Sequence, residues 1–399
     1  MKLHNRKHAL LSLLIASVLG GVVVADAVAQ ARGSDRSEGR RSRGAQKAEV
    51  LYPNATRQEP KVKASAKMGS KLQKLIDTYN DGEDYAAVRS QADEILANSA
   101  ANEYDKSLAA QLAAQAAYNL DDNPGAEQYL QQALQLGGLD NNAHYQSMLM
   151  LAQLQLQDDA TIKEGLVTLD RYLDETKSNR PEDLIIKGQA LYQTERYQEA
   201  IPVLQQAIAA SPEPKDNWNQ LLMAAYADAG QTGEAVKTAE ALAAKNPGDK
   251  KAQLNLASMY MQADQMDKAA AVMDKLRAAG QLTEEREYRQ LYSIYANTDN
   301  KEKDVIAVIN EGLQKGILKP DYQTYLALAQ SYYYTDQIPQ AIENWQKAAP
   351  LSKDGETYLN LAKVLHSEGR IPEAKQAAQQ ALAKGVKRPD DAKKIINLK

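Results

Sequence analysis

The sequence predicts an all-α chain built as a solenoid of about nine helix–turn–helix repeats, and three observations carry that reading. The first is an internal period. Asp321 to Lys353 (DYQTYLALAQSYYYTDQIPQAIENWQKAAPLSK) is one complete unit, and the chain after residue 68 repeats it with variations. The second is spacing. Tyr325, Leu328, Ala329 and Tyr332 fall 3, 4 and 7 apart, which draws one apolar stripe along a helix, and Ala341, Trp345 and Ala348 draw a second. The third is composition: the chain has 21 Tyr, 2 Trp and no Phe, so tyrosine takes the large aromatic slots and keeps a hydroxyl at the rim.

Length and charge bound the rest. A chain of 399 residues would ordinarily hold two or three domains, but stacked repeats share one continuous core, so a single elongated domain is expected. A net charge of -4 with 25% charged residues points away from nucleic acid. The absence of Cys excludes disulfides, thiolate zinc sites, Cys nucleophiles and a lipidated Cys.

Residues 1–29 have a basic start (Lys2, Arg6, Lys7), an apolar run from Ala9 to Ala25 and the small-x-small site Ala27-Val28-Ala29. That pattern predicts a cleaved secretory signal peptide and a periplasmic mature chain; a retained anchor is the competing reading. Residues 30–67 are rich in Arg, Ser, Gly and Lys, with ten Lys or Arg against four acids, and are expected to be a disordered basic tail. Such a tail on an acidic body could fold back or meet an anionic membrane surface. Its one apolar island is Val50 to Arg57.

The array is expected over 68–388. Its first pair has Leu72, Leu75, Ile76 and Tyr79, then Val88, Ala92 and Ile95. The second and third pairs are degenerate. The fourth has Leu184, Gly188, Leu191, Ala200, Leu204 and Ala207, with Pro202 predicting a kink or late start in its second helix. The fifth repeats the fourth through Leu222, Tyr226, Ala235 and Ala239; the sixth uses Leu256, Ala257, Tyr260, Ala269 and Met273; the seventh uses Tyr288, Leu291, Tyr295, Val305 and Gly312. The ninth, Tyr358 to Ala381, follows the eighth, and residues 389–399 read as a polar closing helix.

These motifs resemble the tetratricopeptide repeat (TPR) family over about 68–388. The resemblance implies a right-handed superhelix whose first helices line a concave groove that binds extended peptides or protein surfaces. Carried onto this chain, the family's inward positions give Gln189, Tyr192 and Gln193 in repeat four, and Asn217, Gln220 and Asp228 in repeat five. They give Arg286 and Arg289 in repeat seven, Gln330, Tyr333 and Tyr334 in repeat eight, and Lys363 and His366 in repeat nine. The family's carboxylate clamp is not reproduced, because Ser293 stands where the clamp needs Asn. Trp345 reads as core packing, and packing of one of Tyr333 and Tyr334 on the adjacent repeat is the competing reading for that pair.

No catalytic, cofactor or metal constellation is legible. His144 and His366 lie in different repeats, and no phosphate loop, HExxH or GxSxG is present. Asp183, Glu199, Glu234 and Glu373 fall in helix first turns, where the helix dipole accounts for them. The expectation is a scaffold and not an enzyme.

The layout of signal peptide, basic tail, LYPNATR, MGSKLQKLIDTY and a closing ALAKGVKRPDDAKKII is similar to periplasmic TPR proteins encoded beside TonB, ExbB and ExbD systems. That resemblance implies an accessory of TonB-dependent outer-membrane uptake, with TonB, ExbB, ExbD or a TonB-dependent receptor as partner. Two alternatives remain open from the residues: an assembly factor for outer-membrane protein or envelope polysaccharide export, and a peptidoglycan-associated adaptor.

Overall fold

The computed structural model describes residues 49–398. The expected signal peptide and the tail up to residue 48 lie outside them. Among the described residues there are nineteen α-helices and no strand, an all-α helical-repeat architecture. None of these helices is long and apolar enough to cross a membrane.

The chain divides into two compact units, Met1–Ala229 and Gly230–Lys399. The first holds α1 (Gly69–Asp81), α2 (Tyr85–Leu96), α3 (Glu103–Asn119), α4 (Asn123–Leu136), α5 (Asn141–Gln155), α6 (Ile162–Thr176), α7 (Pro181–Gln193), α8 (Tyr197–Ala210) and α9 (Asp216–Asp228). Helices pack in consecutive antiparallel pairs, each pair against the next. At the start of the unit Leu72 and Leu75 of α1 meet Val88, Ala92 and Ile95 of α2 and Leu108 and Leu112 of α3, all within 3% of full burial. Neither stripe of one pair could be covered alone; stacking covers it. Helix α8 starts at Tyr197 and runs through Pro202, so the late start expected there does not occur.

The second unit holds α10 (Thr232–Lys245), α11 (Lys250–Gln262), α12 (Met266–Ala278), α13 (Glu285–Ala296), α14 (Glu302–Gln314), α15 (Tyr322–Tyr334), α16 (Ile338–Ala348), α17 (Glu356–Ser367), α18 (Ile371–Lys384) and α19 (Pro389–Ile396). Helix α19 turns Ala392 and Ile395 onto the core of the last pair and leaves Asp390 and Lys393 in water. Glycine sets the closest approach in this unit: a Cβ on Gly355 would lie 2.1 Å from the Ala381 carbonyl oxygen.

One backbone device recurs in the turn inside a pair. A residue with positive φ stands at Asp121, Glu195, Asp264, Asn300 and Asp336, and glycine takes the same place at Gly82 and Gly369. At most of these turns the next N–H reaches back to a carbonyl in the last turn of the helix: Asp122 to Ala117, Arg196 to Leu191, Gln265 to Tyr260, Gln337 to Tyr332 and Arg370 to Leu365, at 2.8–2.9 Å. This closes the helix with a left-handed cap and returns the chain.

A second device explains the tyrosine bias. In several repeats a first-helix tyrosine crosses to the second helix of the preceding pair. Tyr260 donates to Glu240 Oε1 at 2.7 Å, Tyr295 donates to Asp274, Gln205 donates to Tyr226 Oη at 2.6 Å, and Asn310 donates to Tyr332 Oη at 3.2 Å. The hydroxyl expected at a wet rim is thus bonded within the chain, and phenylalanine would leave its polar partner unmatched.

The disordered tail expected over 30–67 is corrected for its last part. Residues 49–67 form an ordered arm along the first unit. Tyr52 is 6% exposed, its ring edge-on to Tyr145 at 5.3 Å and to Tyr172 at 6.0 Å. The arm has few apolar residues, but the body satisfies its main chain: Asn142 bonds Leu51 N–H and the Glu49 carbonyl, the Glu175 carbonyl accepts from Thr56 N–H, and Asn102 donates to the Lys63 carbonyl. Order here comes from hydrogen bonds to helix ends together with the packing of Tyr52, Val62 and Ala64, none of which composition registers.

Candidate functional site: the faces of the first helices

Most of the residues that the family resemblance turns inward stand partly open on the first helices. In the first unit Tyr192 and Gln193 of α7 and Gln220 of α9 are half-buried, and Asn217 and Asp228 of α9 are exposed. Gln189 departs from expectation. It is buried, and its Nε2 has no protein partner. Tyr192 donates to Asp228 Oδ2 at 2.6 Å, tying α7 to α9. Burial pushes its hydroxyl above the ordinary tyrosine range, and the carboxylate beside it adds to the shift.

The same face continues onto α3 and α5, where the sequence reading placed core residues but no residue of this face. Gln115 Nε2 reaches Met150 Sδ at 3.1 Å, and Gln111 and Gln153 are buried with an unmatched amide atom each. They were missed because repeats two and three are degenerate and inward positions were carried over only onto the stronger repeats. A signal was available: the left-handed turn residues Asp121 and Glu195 fix equivalent registers in α3 and α7.

In the second unit the cations are engaged inside the chain. Arg289 Nη2 bonds Glu285 Oε1 at 2.6 Å and Asp321 Oδ2 at 2.7 Å, while Nη1 reaches Gln323 at 3.2 Å. It joins α13 to α15 and offers no free cation to a ligand carboxylate. Arg286 pairs with Glu284 at 2.7 Å, and Lys363 pairs with Asp391 of α19 at 3.2 Å. Gln290 to Ser258 and Tyr322 to Thr357 add further rungs between successive first helices.

What remains open is aromatic and amide. Gln330 and His366 are exposed. Tyr334 is 73% exposed, with its ring centroid 5.6 Å from Tyr333, and Tyr333 lies 5.5 Å from Trp345. Trp345 is buried, as its core position implied.

The candidate chemistry is accounted for structurally. Glu199 and Glu373 pair with Arg196 and Arg370, Glu234 pairs with Lys237, and buried Asp183 accepts from Tyr172 Oη at 2.9 Å and Ser178 Oγ at 2.6 Å. Among the described residues no group of three His, Cys, Asp or Glu is placed to hold a metal ion. An open recess of about 400 Å³ between the start of α4 and the end of α5 is lined by Asn123, Pro124, Glu127, Leu154, Gln157, Asp158 and Asp159. Burial raises the Glu127 carboxyl there, and neighbouring Asp158 raises it further. No nucleophile or cation stands with these acids in the lining.

Two family descriptions, both tetratricopeptide repeat, match the sequence at residues 226–293 and 169–217. Over those residues the chain is similar to tetratricopeptide repeats. No curated protein matches it. Among solved structures, a tetratricopeptide repeat protein from Parabacteroides merdae aligns at 14% identity over 74% of this chain and 98% of its own, with a TM-score of 0.41. The C-terminal part of a TPR repeat-containing protein from Cytophaga hutchinsonii aligns at 13% identity over 70% and 95%, with a TM-score of 0.42. YrrB, described as a TPR protein with an unusual peptide-binding site, aligns at 18% identity over 42% and 84%, with a TM-score of 0.36.

Proposed function

We propose that this protein is a non-catalytic scaffold that holds a protein partner in extended form against the faces of its first helices. The observation that carries the reading is the Tyr334–Tyr333–Trp345 stack. An exposed ring braced by a second ring on a buried third one has already lost much of its rotamer freedom. It offers contact area at little further entropic cost. Exposed and half-buried amides such as Gln330, Gln220 and Gln193 suit the main chain of a peptide.

The proposal extends to place and partner. The basic start, apolar run and Ala27-Val28-Ala29 site support export and a periplasmic mature chain. The similarity to proteins encoded beside TonB systems supports TonB, ExbB, ExbD or a TonB-dependent receptor as the partner. The basic residues 32–47 would give a peripheral contact with an anionic membrane surface.

The test is a photo-crosslinking amino acid at position 334 in cells, with products identified by mass spectrometry. A parallel variant carries Tyr333→Ala with a crosslinker at Gln330. A defined envelope protein captured only with Tyr333 intact supports the scaffold, and recovery of a TonB component supports the uptake assignment. Recovery of envelope-assembly or peptidoglycan proteins would keep the scaffold and overturn that assignment. Absence of any protein adduct would overturn both.

A further inference from the structure

The arm is held in the manner of a bound peptide. Asn142 contacts main chain alone: its Oδ1 accepts from Leu51 N–H at 3.0 Å and its Nδ2 donates to the Glu49 carbonyl at 2.7 Å. Asn141 Nδ2 donates to the Arg57 carbonyl at 3.2 Å, and Asn102 does the same for Lys63 at 2.8 Å. Asparagine amides that pair with backbone read an extended chain without reading its sequence.

Two side chains supply the selectivity. Tyr52 enters the socket between Tyr145 and Tyr172. Five residues later Arg57 bonds the carbonyls of Gly137 at 2.6 Å and Leu139 at 3.1 Å, and Asn141 Oδ1 at 2.9 Å. Those carbonyls follow α4, where a helix leaves acceptors unmatched and its dipole favours a cation. Between the anchors Pro53 and Asn54 face water, and exposed Thr56 meets only the Glu175 carbonyl. A segment serving only to cap the array would cover α1. These anchors instead lie on the loop after α4 and on α5 and α6, 80 to 120 residues away in sequence.

We propose that this edge, formed by Asn141, Asn142, Tyr145, Tyr172 and the carbonyls after α4, is a peptide-docking site separate from the first-helix faces. Its ligand is an extended partner segment with a tyrosine five residues ahead of an arginine, and residues 49–59 are its occupant in cis. A partner segment of this chemistry must displace the arm, so the arm sets a threshold for docking.

The test uses the full chain and a fluorescent peptide with the sequence of residues 49–60. Tyr52→Ala with Arg57→Ala should release the arm. That variant is expected to bind the peptide saturably, at least about tenfold tighter than wild type does. A peptide with alanine for tyrosine, or Asn142→Ala added to the variant, should abolish the binding. A folded, cooperatively melting variant that binds no peptide overturns the proposal, and so does equal binding of both peptides. Should the variant fail to fold, hydrogen exchange on wild type decides. Leu51 and Thr56 amides exchanging far faster than α5 amides, and faster still with added peptide, support a releasable arm; exchange only through global unfolding overturns it. A wild-type dimer dissociated by the peptide would assign the edge to a second copy's arm and overturn the cis assignment.

Discussion

The Tyr260 hydroxyl donates to Glu240 Oε1 at 2.7 Å across two consecutive helix pairs, a bond with counterparts at Tyr226, Tyr295 and Tyr332. Burial and the adjacent carboxylate push the Tyr260 hydroxyl up to about 12, so it stays a donor at any ordinary pH. Each such bond links a first helix to the second helix before it, and at Tyr260 ring packing alone would leave the half-buried Glu240 carboxylate without this donor.

Tyr260→Phe should therefore lower stability by about 1–2 kcal/mol, although it removes a single oxygen. Adding Glu240→Leu should recover part of the loss, because both polar partners are then gone. Chemical denaturation of the two variants and wild type checks this; equal stability of Tyr260→Phe and wild type would show the bond to be worthless.

The left-handed positions predict opposite effects from opposite substitutions. Lys177 closes α6 at φ 53°, where a long side chain is disfavoured by about 1–2 kcal/mol. Lys177→Gly should stabilise the chain by roughly 0.5–1 kcal/mol after the entropy of glycine is subtracted. Gly369, at φ 72°, should lose about 1 kcal/mol on change to Ala. Melting temperatures moving in these two directions are the readout.

Close backbone approach predicts a larger cost at Gly355. The Ala381 carbonyl stands 2.1 Å from where its Cβ would be, and a backbone oxygen cannot rotate away. Gly355→Ala should destabilise the second unit by about 2–3 kcal/mol or more. Gly233→Ala is the control: nothing lies within 4 Å of its Cβ, and the change should be neutral or mildly stabilising.

Acid should loosen the first unit through His144. It is 2% exposed with both ring nitrogens unmatched, and burial, assisted by Arg57, holds it down to about 4 from 6.5. The unfolded chain binds that proton first. Stability is thus unaffected above pH 6.5, falls as pH drops toward 4, and changes no further below that, a loss on the order of 3 kcal/mol. The unfolding transition that includes α5 should shift between pH 7 and 4, and His144→Gln should flatten the shift; an unchanged pH slope in that variant would assign the loss elsewhere.

Glu311 acts in a lower window. Burial pushes its carboxyl up, but hydrogen bonds from Lys315, Tyr288 and Arg277 outweigh this and hold it at about 2. Its contribution is complete above pH 4.5 and is lost as pH falls through 2. Glu311→Gln should therefore destabilise the second unit at pH 7 and match wild type near pH 2, read from the same titration.

The sequence by itself determined the helices and their pairing. Apolar spacing of 3, 4 and 7 in Tyr325 to Tyr332 forces a stripe, and a stripe that one pair cannot cover forces stacking. The family resemblance sent Tyr334, Gln330 and His366 to an open face, and all three are exposed. What only the tertiary structure decided are relations between distant groups whose bonding depends on placement. Arg289 stands at a groove position by count, yet Asp321 and Glu285 neutralise it. Gln189 has the same kind of position and is buried. Above all, the arm was unreadable: the Thr56 hydroxyl meets the Glu175 carbonyl across 119 residues and the Arg57 guanidinium meets Asn141 Oδ1 across 84, through polar bonds that carry no period. Local spacing encodes the repeat, while the order of residues 49–67 exists only once α4, α5 and α6 have brought their ends together.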